Sequence, residues 1–172
     1  LENMPEIADV QNMLRIIEDL GGTVEWSGKH TVIIDTTNIN GKDPNRLLVR
    51  RLRASVLLIG PMLARNGHIR ISTPGGCFIG NRPLDAHFDA LKKLGATIQE
   101  EDDSYLLTAD KLVGTEILLQ EMSVTATENA IMAAVYAQGQ TSLKLAALEP
   151  HIQDLCHFLN KMGAKISGIG TH

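Results

Sequence analysis

The sequence predicts an α/β fold built from repeated helix–strand units. Three observations carry this. Three segments close on a glycine preceded by apolar residues at helical spacing; each then gives way to a short run of alternating β-branched and polar residues; and the pattern returns about every 70 residues, the length of a unit that buries its core against its neighbours. Counting back from Gly21, Gly95 and Gly163, apolar residues stand at −1 (Leu20, Leu94, Met162), −4 (Ile17, Leu91, Leu159) and −11 (Val10, Leu84, Ile152). These share one helical face. Glycine just past the last turn supplies the left-handed backbone that closes a helix.

In order, helices are expected over residues 10–20, 84–94 and 152–162, each followed by a strand, at 23–26, 97–99 and 165–167. A second type of helix covers 45–66 and 127–138. Each ends at a glycine, Gly67 or Gly139, before an alternating strand at 68–72 or 140–145. Further strands fall at 31–34, 105–108 and 116–119, where β-branched residues cluster. The chain opens inside the first helix of one unit and stops just after the first helix of another. It therefore reads as a single domain, residues 1–172, cut from something longer.

Composition excludes several classes of function. The net charge of −4 lacks the basic surface that phosphate-backbone binding requires, and one Trp, two Tyr and three Phe leave little for base stacking, so nucleic acid is not expected as a partner. The longest apolar stretch, residues 56–64, is broken by Gly60-Pro61 and is too short to span a bilayer. Cys77 and Cys156 are far apart and form no CxxC, which suits a reducing, cytoplasmic compartment. The histidines form no HExxH motif, and no GxGxxG, Walker loop or GxSxG elbow occurs, so neither a metal nor a cofactor is indicated.

Residues 72–85 are the densest in special residues. Pro74, Gly75, Gly76 and Gly80 cannot continue a helix or strand, so Cys77 rides on a loop, five residues before Arg82. Two readings stand: a reactive thiol of lowered pKa, or a small apolar filler. Arg82-Pro83 precedes a helix whose free amides attract anions, and again a phosphate site competes with an ordinary cap. Thr125 and Glu128 have the spacing of a capping box. Arg46, Arg50 and Arg53 share one helical face, either as an anion-binding stripe or as a solvated one.

Arg53-Ala54-Ser55, Gly60-Pro61-x-x-Ala64-Arg65, Pro74-Gly75-Gly76-Cys77-x-Ile79-Gly80-x-Arg82-Pro83-x-Asp85-x-His87, Leu94-Gly95-Ala96, Ser123-Val124-x-Ala126-Thr127-Glu128-Asn129, Glu149-Pro150 and the run from Phe158 to Thr171 together resemble the UDP-N-acetylglucosamine enolpyruvyl transferases (UDP-N-acetylglucosamine 1-carboxyvinyltransferases). The likeness spans essentially the whole chain, and the cysteine loop is its most specific part. It implies an inside-out α/β barrel of pseudo-symmetric repeats with helices at its centre. It also implies a two-domain enzyme more than twice this length, of which this chain would be most of the cysteine-bearing domain, inactive without its second domain. The implied reaction moves the enolpyruvyl group of phosphoenolpyruvate to the 3'-hydroxyl of UDP-N-acetylglucosamine, the first committed step of peptidoglycan synthesis.

By resemblance, Cys77 is the catalytic cysteine that fosfomycin alkylates in the family. Arg53 matches a residue contacting the UDP-sugar, Arg82, Pro83, Leu84, Asp85 and Ala86 match the loop around its nucleotide, and Ser123 and Val124 match a second UDP-binding segment. The chain departs from the family pattern at Glu121, where a basic residue is common before Ser-Val, and at Thr125, where glycine is usual. It departs again at Leu148 and His151, on either side of Glu149-Pro150. Two rival functions remain: the sister synthase of 5-enolpyruvylshikimate 3-phosphate, which shares fold and chemistry but not the cysteine loop, and a non-catalytic UDP-sugar-binding module.

Overall fold

The computed structural model describes residues 1–73 and 83–171. In chain order these form α1 (Ala8–Asp19), β1 (Thr23–Gly28), β2 (Thr31–Asp35), α2 (Arg46–Val49), a 3₁₀ helix (Arg53–Leu58), α3 (Ile59–Asn66) and β3 (His68–Ser72). Then follow α4 (Asp85–Lys93), β4 (Thr97–Glu101), β5 (Ser104–Thr108), β6 (Glu116–Leu118), α5 (Val124–Ala134), β7 (Ser142–Lys144) and α6 (Pro150–Lys161). The strands make three small sheets, β1-β2, β3-β5-β4 and β6-β7.

The three repeat glycines do what their spacing predicts. Gly21, Gly95 and Gly163 have φ of 102°, 103° and 109°, a region open to glycine at little cost. In each case the next amide, of Gly22, Ala96 or Ala164, donates back to the carbonyl of Ile17, Leu91 or Leu159, the apolar residue at −4. This wide closing loop satisfies carbonyls that the helix leaves open.

The chain divides into two compact units. The first comprises Leu1–Val56, residues 69–73 and Glu100–Leu106. In it α1 buries Leu14 and Ile16, and β1 and β2 form an antiparallel hairpin, Thr23 opposite Asp35 and Trp26 opposite Val32, with an irregularity between Trp26 and Gly28. Asp19 ties the segment before α2, accepting from Lys42 Nζ at 2.9 Å and from the Asn45 amide at 2.7 Å.

The helix expected over 45–66 is broken, because α2 stops at Val49 and α3 begins afresh at Ile59. Between them the Val49 and Leu52 carbonyls accept the amides three residues on, of Leu52 and Ser55, and the buried Ser55 hydroxyl adds a bond to each at 3.2 and 2.6 Å, a tight turn that replaces the α-helical pattern. Restarting the helix also puts Pro61 in the first turn of α3, where a missing N–H costs nothing.

The second unit comprises Leu57–His68, residues 83–99 and residues 107–171. Its middle is α5, which packs against α3, α4 and α6 and buries Ala126, Thr127, Asn129, Ala130 and Ala133. Small side chains let neighbouring helices come close, and α3 uses this at Gly60. A Cβ there would lie 2.5 Å from the Asn129 backbone oxygen. A helix at the centre matches the expected arrangement. β6, which packs on α4, runs parallel to β7, Ile117 opposite Leu143, with Ile117 fully buried.

The strand expected at 165–167 does not form. Ile166 instead meets the Asn160 side chain, whose Nδ2 donates to the Ile166 carbonyl at 2.8 Å and whose Oδ1 accepts its amide at 2.7 Å. One side chain thus supplies the bonds that a neighbouring strand would give. Among the described residues no helix is long and apolar enough to cross a membrane.

Candidate functional site

Two of the sequence-predicted segments meet in the second unit. Leu84 precedes α4 and is buried, Asp85 is its exposed first residue, Ala86 is buried behind it, and Pro83 stands exposed just ahead. Asp85 opens the helix and Lys92 and Lys93 close it, an order that suits the helix dipole. Ser123 and Val124, both half-buried, start α5, which packs on α4. Arg53, half-buried at the head of the 3₁₀ helix, belongs to the first unit. Cys77 and Arg82 lie outside the described residues.

Ser123, not Thr125, caps α5. The Ser123 hydroxyl accepts the Ala126 amide at 3.4 Å, and its carbonyl accepts the Thr127 hydroxyl at 2.8 Å. The Thr127 oxygen in turn accepts the Ala147 amide at 3.1 Å, so the start of α5 is tied to the segment leading into α6. The capping box read from Thr125 and Glu128 is therefore absent. Thr125 lies two positions past the cap, inside the helix, and its hydroxyl is used elsewhere, 3.1 Å from His87 Nε2.

His87 and Asn129, which the sequence motifs contain without a role, join the helices of this region. The ring is 3% exposed, with Nδ1 3.0 Å from Asn129 Nδ2, while Asn129 Oδ1 accepts the Gly60 amide at 2.7 Å. Each is a polar residue on an otherwise apolar helix face, and that is the signal by which sequence could have found them.

Charge is distributed unevenly. In the first unit Arg46 and Arg50 both pair with Asp103, the latter at 2.8 Å, which favours the structural reading of the arginine stripe for these two. Arg70 pairs with Glu101 and with Asp43; the guanidinium hydrogen bond, helped by the Ser104 hydroxyl at 2.8 Å, holds the Glu101 carboxyl below its usual range. In the second unit Glu128 is pushed up, chiefly by burial, with His151 opposing and Glu149 adding to the shift. Burial also pushes the Cys156 thiol up, so it stays protonated and poorly nucleophilic. Glu121 and Met122, just before the cap, are exposed. Among the described residues no group of three His, Cys, Asp or Glu side chains is placed to hold a metal ion.

A cleft of about 600 Å³ opens in the second unit between α5, α6 and residues 163–171, with Cys156 in its wall. Its lining is mixed, with Ala130, Ile131, Ala134 and Ile152 along the helices beside Gln140, Gln153 and Lys165, and it includes none of the predicted site residues.

The model of the EPSP synthase (3-phosphoshikimate 1-carboxyvinyltransferase) family matches residues 1–172. The chain belongs to the EPSP synthase family. Within that family it is similar to the UDP-N-acetylglucosamine 1-carboxyvinyltransferases of Hydrogenovibrio crunogenus, 46% identical over 99% of this chain and 41% of the relative, and of Borreliella burgdorferi, 49% identical over 100% and 40%. The chain thus spans about two-fifths of the length of these relatives. Among solved structures, the enolpyruvyl transferase NikO from Streptomyces tendae superposes with a TM-score of 0.83 at 23% identity, covering 96% of this chain and 39% of that one. An EPSP synthase from Acinetobacter baumannii gives 0.71 at 23% identity, covering 96% and 38%. These two likenesses establish the enolpyruvyl transferase fold, and the α/β repeats read from the sequence agree with it.

Proposed function

We propose that this chain is part of a cytoplasmic enzyme that transfers the enolpyruvyl group of phosphoenolpyruvate to the 3'-hydroxyl of UDP-N-acetylglucosamine, in the service of peptidoglycan synthesis. The observation that carries the reading is the 46% and 49% identity, over essentially the whole chain, to relatives bearing the name of that enzyme. The cysteine loop of residues 74–85 supports it, since the sister synthase reaction is not associated with that motif.

The chemistry assigns roles. The sugar 3'-oxygen adds to C2 of phosphoenolpyruvate while C3 receives a proton, giving a tetrahedral ketal. The C2–O bond to phosphate then breaks, and a proton leaves C3 to restore the double bond. Cys77 is the acid that delivers the proton to C3, a task for a thiol on a loop beside the substrates. Both substrates are anionic, and guanidinium groups match phosphate oxygens with paired hydrogen bonds. Arg82 takes the diphosphate with Pro83, Leu84, Asp85 and Ala86 around the nucleotide, Ser123 and Val124 line its other side, and Arg53 contacts the UDP-sugar. The remaining stabilisation of the ketal comes from the part of the enzyme that this chain does not span.

Calorimetric titration of the chain with UDP-N-acetylglucosamine, with shikimate 3-phosphate as the control, tests the reading. Binding of the UDP-sugar that weakens on Arg82→Ala is the expected result. Binding of shikimate 3-phosphate in its place would transfer the chain to the sister reaction, and binding of neither would overturn the claim that it holds the nucleotide.

A further inference from the structure

The polar contacts joining α3, α4 and α5 dictate which nitrogen of His87 carries the proton. The Gly60 amide, in the first turn of α3, donates to Asn129 Oδ1 at 2.7 Å. An N–H cannot accept, so the Asn129 carbonyl faces Gly60 and its NH₂ faces the other way. That NH₂ lies 3.0 Å from His87 Nδ1 and only donates, so Nδ1 presents its lone pair. The ring proton is then on Nε2, 3.1 Å from the Thr125 oxygen that accepts it. Thr125 and Asn129 are four residues apart, on one face of α5, and His87 is the third residue of α4. The ring therefore bridges the opening turns of both helices while almost fully buried.

We propose that His87, locked as the Nε2–H tautomer by the Gly60–Asn129 contact, is a positioning residue that sets the spacing between the starts of α4 and α5. Resting on the functional reading above, it thereby fixes the separation of residues 83–86 from Ser123 and Val124, the two segments that grip the nucleotide of the UDP-sugar. With its ring almost fully buried, His87 is assigned no contact with the substrate or the reacting atoms. It acts through Thr125 and Asn129, and two rigid first turns held apart by one ring give the ligand a preformed gap.

Two measurements on the full chain test this. Nitrogen-edited NMR of the imidazole should show a protonated Nε2 and an unprotonated Nδ1; the opposite tautomer would overturn the proposal whatever ligand the protein binds. In calorimetric titrations, His87→Leu should weaken UDP-N-acetylglucosamine binding about tenfold or more, given how steeply misplacement of a binding group costs affinity. His87→Gln, whose side-chain amide restores a donor to Thr125, should recover most of that loss. Thr125→Val, which removes the acceptor at a half-buried position, serves should His87→Leu fail to fold, and should also weaken binding. A lower melting temperature with unchanged affinity in both variants would mean a merely structural ring and would overturn the proposal. A wild-type chain that binds no UDP-sugar would instead sink the functional reading, and the nucleotide-spacing role with it, while the tautomer result would still judge the lock itself.

Discussion

The side-chain carbonyl of Asn129, in the middle of α5, caps α3 by accepting the amide of Gly60 at 2.7 Å. No side chain of α3 or of its own N-cap residue Leu58 makes that bond. The helix restart after Ser55 therefore depends on a residue 69 positions later in the chain. Such a bond is possible only because Gly60 lets the two backbones touch.

Both halves of this contact can be broken separately. Asn129→Ala leaves a buried amide without an acceptor and should cost about 1–3 kcal/mol, read as a lower urea midpoint with unchanged slope. Gly60→Ala keeps both partners but drives a methyl group onto the Asn129 backbone, and should destabilise by a similar about 1–3 kcal/mol through overpacking. A Gly60→Ala variant as stable as the wild type would show that α3 and α5 are not in such close contact.

Glu101 should contribute to acid sensitivity. Its carboxyl is held below the usual range by Arg70, so the sign is that of a depressed acid: its contribution is present above the unfolded-state value and is lost as pH falls through the folded-state value. Melting temperatures followed from neutral pH downward should fall less steeply for Glu101→Gln than for the wild type. Because Glu101 is only half-buried, at the surface, the difference is small and shrinks at high salt. Parallel curves would remove Glu101 from the acid response.

Glu128 should behave in the opposite sense. Burial raises its carboxyl above the usual range, so its protonated form suits the folded state; the contribution is present below the unfolded-state value and lost as pH rises through the folded-state one. Replacing it by Gln removes a charge that is unfavourable at neutral pH. Glu128→Gln should raise the melting temperature near neutrality and do little under acid conditions where the carboxyl is already protonated. A drop at neutral pH would show that the pairing with His151 outweighs the burial.

Some of this was legible in the sequence and some was not, for physical reasons. The ends of α1, α4 and α6 were readable because the closing loop is local: a glycine and the residue at −4 decide it. The strand at 165–167 was not, since a strand needs a partner and Asn160 supplied the bonds instead. The Thr125–Glu128 spacing does not locate the cap, because Ser123 stands two residues earlier with its own hydroxyl, and the Thr125 hydroxyl meets His87 on another helix. The roles of His87 and Asn129 are not legible from helical periodicity, which counts apolar residues and treats a polar one on the same face as an interruption. The motif holding Cys77 and Arg82 is legible only through sequence resemblance, while the elements on which Pro83 to Ala86, Ser123 and Val124 sit follow from caps and spacing.

The two cysteines give the last prediction. Cys156 lies on the buried face of α6, and burial raises its thiol, so little thiolate forms near neutral pH and attack on an electrophile is slow. Cys77 carries the proposed acid function and sits among glycines five residues before an arginine, the setting for a reactive thiol. An alkylating epoxide that bears a phosphonate should therefore modify one of the two, at Cys77, as peptide mass spectrometry of the native protein would report. Cys77→Ser should abolish that labelling and sharply lower turnover in the enzyme of which this chain is part, while UDP-N-acetylglucosamine still binds, because the hydroxyl replaces the acid and leaves the nucleotide contacts in place. Labelling at Cys156 in the folded chain, or full turnover with serine at position 77, would take the acid role away from Cys77.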